Sequence, residues 1–235
     1  MTILNGDCLE LMKGIPDGSV DMILADPPYG TTQNKWDSVI PLDQMWEQFK
    51  RITKKNAAIC IFSQMPFTAE LVSSNRKMFR YEWIWQKPQA TGFLNANRMP
   101  MKAHENICVF YRALPAYTPQ FTWGGRTGKN RHAPSKNYGE YHPVVTVSDG
   151  RRYPKDIIQA NIEVGQHPTQ KPVKLLEYLI KTYTHEGETV LDPCMGSGST
   201  GVACVHTGRE FIGMELDKGY FEIAEIRIRE AVTDG

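Results

Sequence analysis

Two short stretches combine residue types at spacings that could do chemistry. The first is Asp26-Pro27-Pro28-Tyr29, directly after the apolar run Val20–Ala25. Two prolines cannot continue a central strand, so the strand must stop at Asp26. In an open α/β sheet the carboxyl end of such a strand faces the ligand crevice. An exocyclic amine on an aromatic ring is a poor nucleophile because its lone pair is delocalised. The Asp26 carboxylate and the Pro27 carbonyl could each accept one of its N–H bonds and draw the nitrogen toward a tetrahedral geometry. Pro27 and Pro28 stiffen the turn, so the acceptors are held in place before the amine arrives. Tyr29 offers a ring for stacking on a base taken out of its duplex. The plain alternative is a rigid corner in which Asp26 bonds only its own backbone.

The second stretch is Asp192-Pro193-Cys194-Met195-Gly196-Ser197-Gly198-Ser199-Thr200-Gly201, a strand, a glycine turn and the start of a helix. Glycines let a backbone approach a ligand, and a helix start presents free N–H groups. Gly196, Gly198 and Gly201 satisfy the dinucleotide fingerprint, and the acidic Glu215 ends the following strand, where it could hold ribose hydroxyls. An NAD-dependent oxidoreductase is therefore one reading, and a purely structural turn another. Asp192 favours a different nucleoside ligand. A carboxylate at that strand tip repels a pyrophosphate and attracts an ammonium, such as that on the amino-acid part of S-adenosylmethionine.

The elements that must position these stretches follow from periodicity. Residues 41–53 have helical spacing, with Met45, Trp46, Phe49 and Ile52 on one face. Residues 57–62, 81–85 and 106–111 read as strands, 66–77 as a helix and 86–104 as a polar loop. No period holds over 113–166, a length that in a compact domain signals function or disorder. Order resumes with a helix over 171–183, a strand over 188–191, the helix Ser199–Thr207, a strand over 210–215 and a helix over 218–232, leaving Thr233-Asp234-Gly235 as a tail. Strands alternating with helices predict a mostly parallel sheet covered on both faces.

A chain of 235 residues suffices for one large α/β domain or one with a small insertion. No apolar run reaches membrane-span length, and the N-terminus has no signal-peptide pattern, so a cytoplasmic location is expected. Five scattered cysteines without a C-x-x-C pair point to neither a disulfide framework nor a zinc site, and no metal is expected. The net charge is only +1, but from Arg112 to Lys155 eight Lys/Arg face only Glu140 and Asp149. That segment also carries Tyr117, Phe121, Trp123, Tyr138, Tyr141 and Tyr153. Basic residues interleaved with aromatics suit nucleic acid, and a solvated surface loop is the plain alternative.

Taken together, the motifs resemble those of the amino-methylating DNA methyltransferases. Asp26-Pro27-Pro28-Tyr29 is similar to their catalytic motif, and the Asp192 to Thr200 stretch to their cofactor motif, with Cys194 where phenylalanine is common. His167-Pro168-Thr169-Gln170-Lys171-Pro172 resembles the segment preceding the cofactor motif in the β-group, and Asn5-Gly6-Asp7-Cys8 the motif whose acid meets the cofactor's adenine. The order, catalytic motif first, is the β-group order. The resemblance implies a Rossmann-like S-adenosylmethionine-dependent methyltransferase fold, a mostly parallel seven-stranded sheet with helices on both faces and permuted motif order. Residues 1–112 would form its catalytic part, 113–165 a target-recognition insertion and 166–235 the cofactor-binding part.

By matched position, Asp26, Pro27, Pro28 and Tyr29 would be catalytic. Asp7, Cys8, Asp192, Pro193, Gly196, Ser197, Gly198, Ser199, Thr200, Glu215 and Leu216 would hold S-adenosylmethionine, with Thr169 and Lys171 at its methionine end. Arg126, Lys129, Arg131 and Lys136 would meet DNA. The implied reaction is methyl transfer to N6 of a flipped adenine in double-stranded DNA. N4-cytosine methylation, an NAD-dependent oxidoreductase and a DNA-binding protein without catalysis are the alternatives. Cytosine C5 chemistry needs a cysteine nucleophile, and Cys194, inside the cofactor turn, reads as packing. β-group relatives often pair, which implies a homodimer; no cognate restriction endonuclease is readable from the sequence.

Overall fold

The computed structural model describes residues 1–30, 39–124, 149–163 and 170–234. Arg126, Lys129, Arg131, Lys136 and the segment His167 to Thr169 lie outside the described residues. The strands are β1 (Thr2–Asn5), β2 (Val20–Ala25), β3 (Thr53–Ser63), β4 (Phe79–Thr91), β5 (Lys102–Phe110), β6 (Thr122–Trp123), β7 (Arg151–Arg152), β8 (Ile157–Gln159), β9 (Thr189–Asp192) and β10 (Glu210–Glu215). The helices are α1 (Cys8–Met12), α2 (Leu42–Ile52), α3 (Phe67–Ser74), α4 (Val173–Tyr183), α5 (Ser199–Thr207) and α6 (Lys218–Asp234). Chain contacts group the protein into two compact units, Met1–Thr118 with Asp156–Gly235, and Pro119–Lys155.

The first unit holds a sheet in the order β1-β10-β9-β2-β3-β5-β4-β8. The pairings from β1 through β10, β9 and β2 to β3 are parallel, β5 runs antiparallel to both β3 and β4, and β8 is parallel to β4. Strand β2 shows why the sheet is covered twice. Met22 and Leu24 enter one core with Leu175 and Leu179 of α4, Ala203 of α5 and Ala224 of α6. Ile23 and Ala25 enter the other with Met45, Trp46 and Phe49 of α2 and Phe67 of α3. Alternate side chains leave opposite faces, so a strand buried on both reads as an unbroken apolar run. The predicted face of α2 is fully used: Met45, Trp46, Phe49 and Ile52 are all buried.

Three departures from the sequence reading have physical causes. The stretch 86–104 is not a loop throughout. Strand β4 runs on to Thr91 and β5 begins at Lys102, so both ends of the stretch are the arms of an antiparallel hairpin. Its outer part is exposed on both faces and carries no apolar alternation to reveal it. An eighth strand, β8, adds to the edge of the sheet from within the stretch read as patternless; three residues are too few to show a period. Helix α6 continues through Asp234, so Thr233 and Asp234 are helical and not a tail.

The second unit pairs β6 with β7, Thr122 opposite Arg152. The Phe121 and Tyr153 rings meet edge to face at 4.9 Å, and the Arg151 guanidinium lies 5.3 Å from the Phe121 ring. Trp123 and Tyr153 are both about three-quarters exposed, at 75% and 74%. No helix among the described residues is long and apolar enough to cross a membrane.

Candidate active site

The parallel strands β1, β10, β9, β2 and β3 all deliver their carboxyl ends to one side of the sheet. The chain winds one way from β9 through α5 to β10 and the other way from β2 through α2 to β3. The switch in winding therefore falls between β9 and β2, which is where open α/β sheets bind ligands. Asp192 ends β9 and Asp26 follows β2. A cleft of about 760 Å³ opens there, within the size range of small-molecule sites.

The cleft is lined by Asp26, Pro27, Pro28 and Tyr29, and by Asp7, Cys8, Lys171, Asp192, Pro193, Gly196, Ser197, Ser199, Thr200, Glu215 and Leu216. Gly198 is the exception among the described candidates, since it turns away from the cleft toward α6. Its φ is +82°, and a Cβ there would sit 2.9 Å from the Ala224 Cβ. At Gly201 a Cβ would meet the Ile228 side chain at 2.4 Å. Two of the three fingerprint glycines thus admit a helix, and only Gly196 faces the ligand space.

The Asp192 carboxylate organises the glycine turn. Oδ1 accepts the Cys194 N–H at 3.0 Å and Oδ2 accepts the Thr200 hydroxyl at 2.6 Å. Burial pushes its pKa up to about 7, against the pull of those two donors, and the Asp26 and Glu215 charges add to the rise. Glu215 ties the neighbouring strand end to the same turn. Its Oε2 accepts the Gly196 N–H at 2.9 Å and its Oε1 accepts the Asp217 N–H at 2.8 Å. Each oxygen keeps a second lone pair, which suits a pair of vicinal hydroxyls. Burial raises the Glu215 pKa as well. Asp7 caps α1 through Oδ1, which accepts from Leu9 at 2.8 Å and Glu10 at 3.2 Å. Cys8 and Cys194 both line the cleft, and the interaction of their thiols holds the Cys8 thiol below its ordinary pKa and the Cys194 thiol above. Leu216, 68% exposed, adds an apolar edge.

The catalytic turn is held differently. Tyr29 donates to Asp26 Oδ1 at 2.6 Å, and its ring stacks on Phe67 at 5.3 Å between centroids. Lys171, expected by resemblance near the cofactor's methionine end, has its ammonium hydrogen-bonded to Asp26 Oδ2 and 3.4 Å from Glu105 Oε2. Glu105 Oε1 in turn accepts from Lys87. Glu105 is the residue that sequence reasoning missed. It lies on β5 opposite Trp85 and lines the cleft, yet belongs to no motif singled out above. Glu105 stands between His104 and Asn106, just ahead of the strand read at 106–111, so no apolar neighbours set it apart, although a buried glutamate is almost never unpaired.

The profile of the N6_N4_Mtase family, described as DNA methylase, matches residues 20–226. The chain belongs to the DNA methylase family. This methylase is 27% identical to the Type II methyltransferase M2.LlaDCHI of Lactococcus lactis subsp. cremoris, an alignment covering 99% of this chain and 91% of the relative. It is 29% identical to the DNA adenine methyltransferase YhdJ of Escherichia coli (strain K12), over 97% of this chain and 82% of that one. The crystal structure of the M1.HpyAVI–SAM complex shares the methylase's fold with a TM-score of 0.66 at 24% identity, covering 96% of this chain and 98% of the other. The methyl donor of such enzymes is S-adenosylmethionine, and the residues lining the cleft fit it: lone pairs on Glu215 for ribose hydroxyls, Asp7 Oδ2 outside the α1 cap, and apolar edges at Leu216 and Pro193. The oxidoreductase reading is thereby set aside.

Proposed function

We propose that the protein methylates N6 of adenine in double-stranded DNA, with the target base flipped into the cleft beside Asp26. The observation that carries the reading is the placement of two chemically distinct strand ends around one cleft: Asp26-Pro27-Pro28-Tyr29 after β2, and the Asp192 turn with Glu215 after β9 and β10. S-adenosylmethionine would supply an electrophilic methyl on sulfur. Asp26 and the Pro27 carbonyl accept the amine N–H bonds and aim the nitrogen lone pair at that carbon. Pro27 and Pro28 keep the acceptors from reorganising. Tyr29, braced by Phe67, offers its ring to the base. Glu215 and Asp7 hold the nucleoside end of the cofactor, Leu216 and Cys8 pack beside it, and the turn from Pro193 to Thr200 shapes the amino-acid end.

Adenine is favoured by the aspartate that opens the catalytic motif and by the activity named for the Escherichia coli relative. N4-cytosine is the second reading, since the family profile spans both amines. Double-stranded DNA is supported by the basic, aromatic segment 113–165, taken here as the target-recognition insertion between parts 1–112 and 166–235. The hairpin tip from Gln86 to His104 points the same way. It carries Lys87, Arg98 and Lys102 with no carboxylate, presents Phe93 and Leu94 to solvent, and is tied to cleft-lining Gln64 through Lys102. A cytoplasmic location, from the N-terminal and cysteine patterns, and pairing of two copies, by resemblance, belong to the same reading.

The test is transfer of labelled methyl from S-adenosylmethionine to unmethylated plasmid DNA, followed by nucleoside analysis. N6-methyladenine is the expected product, and Asp26→Ala abolishes transfer while cofactor affinity stays within about twofold. N4-methylcytosine in the digest would replace the base, and full activity of Asp26→Ala would remove the catalytic assignment.

A further inference from the structure

We infer that Lys171 is an exchangeable counter-ion, handed from Asp26 to Glu105 when the target amine binds, and that Glu105 is the positioning residue that makes this exchange possible. The inference rests on the reading of Asp26 as the acceptor of the amine.

Both oxygens of Asp26 are already engaged. Oδ1 accepts from Tyr29 at 2.6 Å and Oδ2 from the Lys171 ammonium. Each oxygen keeps a second lone pair, but a carboxylate paired with a cation is a weaker acceptor for a neutral amine and a weaker base for its proton. Tyr29 is fixed by its stack on Phe67. Lys171 has somewhere else to go. Its Nζ lies 3.4 Å from Glu105 Oε2, too far for a good N–H···O bond but within a small rotation of one. That same Oε2 is the one buried side-chain oxygen or nitrogen among the described residues with no hydrogen-bond partner. Buried polar groups are nearly always bonded, so this oxygen is the acceptor on which a small turn of the lysine would close a hydrogen bond.

The surroundings suit a short exchange. Lys171 is buried, and its ammonium rests 5.1 Å from the Phe62 ring centre, a surface that attracts a cation without fixing its direction. Glu105 is held from the far side by Lys87, itself laid over the Trp85 ring at 4.9 Å. Burial alone would push Lys171 toward neutrality; Asp26 and Glu105 more than reverse this and keep its pKa above the ordinary lysine range. Burial likewise opposes the Glu105 charge, and Lys171 and Lys87 outweigh it, so the Glu105 pKa lies below the ordinary glutamate range. The lysine therefore stays cationic on either acceptor. With Lys171 on Glu105, Asp26 Oδ2 is the stronger acceptor and base for the amine. As the N–CH₃ bond forms and the S–CH₃ bond breaks, the amine sheds one proton toward Asp26 and keeps the electron pair of that N–H bond on nitrogen.

The experiment measures steady-state methylation of plasmid DNA by the full-length protein and by Glu105→Gln, Glu105→Asp, and Glu105→Gln combined with Lys171→Met. S-adenosylhomocysteine affinity serves as the check on folding. Glu105→Gln lowers kcat about 10- to 100-fold, the scale of one charge-assisted hydrogen bond, while KM for S-adenosylmethionine stays within about twofold. Glu105→Asp, which keeps the charge with a shorter reach, recovers part of the loss. In the double variant the trapped cation is gone, so it outpaces Glu105→Gln alone. A double variant as slow as, or slower than, the single would overturn the exchange, as would wild-type kcat in Glu105→Gln beside an inactive Asp26→Ala. If Asp26→Ala is itself active, the failure lies in the assignment of Asp26 and not in the exchange.

Discussion

On the proposed reading Asp192 meets the cofactor's ammonium, and burial raises its pKa to about 7. An acid whose folded pKa is raised binds a proton in the free protein that a nearby cation would expel. Binding of S-adenosylhomocysteine, which carries the same ammonium, should therefore release a proton below about pH 7, and affinity should rise with pH up to about 7 and level off above it. Calorimetry in two buffers of different ionisation enthalpy reads the proton directly. Asp192→Asn, whose amide can donate to a rotated Thr200 hydroxyl, should remove both the release and the pH dependence. Proton release unchanged in that variant would move the effect to Glu215, whose pKa burial also raises. At this scale the sequence was most informative where chemistry and turn geometry coincide: Asp26 before two prolines, Asp192 before glycines, Glu215 at a strand end. Lys171 was legible as a cleft residue, but its partners were not. Ion pairs between residues 171, 26 and 105 arise only when β2, β5 and the start of α4 are brought together, and nothing in linear spacing encodes that.

The elements follow from periodicity wherever a face is buried. Helix α2 and strand β2 were readable because every apolar position meets a core. The β4–β5 hairpin beyond Trp85 and the three-residue β8 were not, since exposed or very short strands carry no pattern. The glycine turn shows a subtler limit. Its spacing matches a ligand-binding fingerprint, yet Gly198 and Gly201 are required by α6, which packs Ala224 and Ile228 where side chains would stand. Gly198→Ala should thus act on stability first. The positive φ and the 2.9 Å approach to Ala224 together predict a loss of about 1–3 kcal/mol, seen as a lower denaturant midpoint with unchanged slope. Cofactor affinity, scaled to the folded fraction, should change far less. A wild-type midpoint would mean that α6 yields to the added methyl group.

The whole chain carries a net charge of +1, so any attraction to DNA must come from how the charge is distributed. Eight cations against two acids between Arg112 and Lys155 leave that stretch at +6 (8 − 2) and the remainder at −5 (1 − 6). On the proposed reading, an acidic remainder would repel a phosphate backbone and favour encounters through the basic stretch before any base is read. The sequence made this asymmetry plain while leaving the order of base contacts unreadable, because specificity depends on which side chains reach which groove edges. The charge reading is testable without knowing the recognition site. Each phosphate neutralised by a cation contributes about 0.9 to the slope of log affinity against log salt. Replacing Arg126, Lys129 and Arg131 together by glutamine should weaken binding to plasmid fragments and flatten that slope by about 1 to 3, measured by fluorescence anisotropy across a potassium chloride series. Cofactor affinity, which depends on the cleft at the strand ends, should not follow. A slope identical to that of the unaltered protein would return these three cations to a solvated surface and shift the search for the DNA contact to Arg98 and Lys102 on the β4–β5 hairpin.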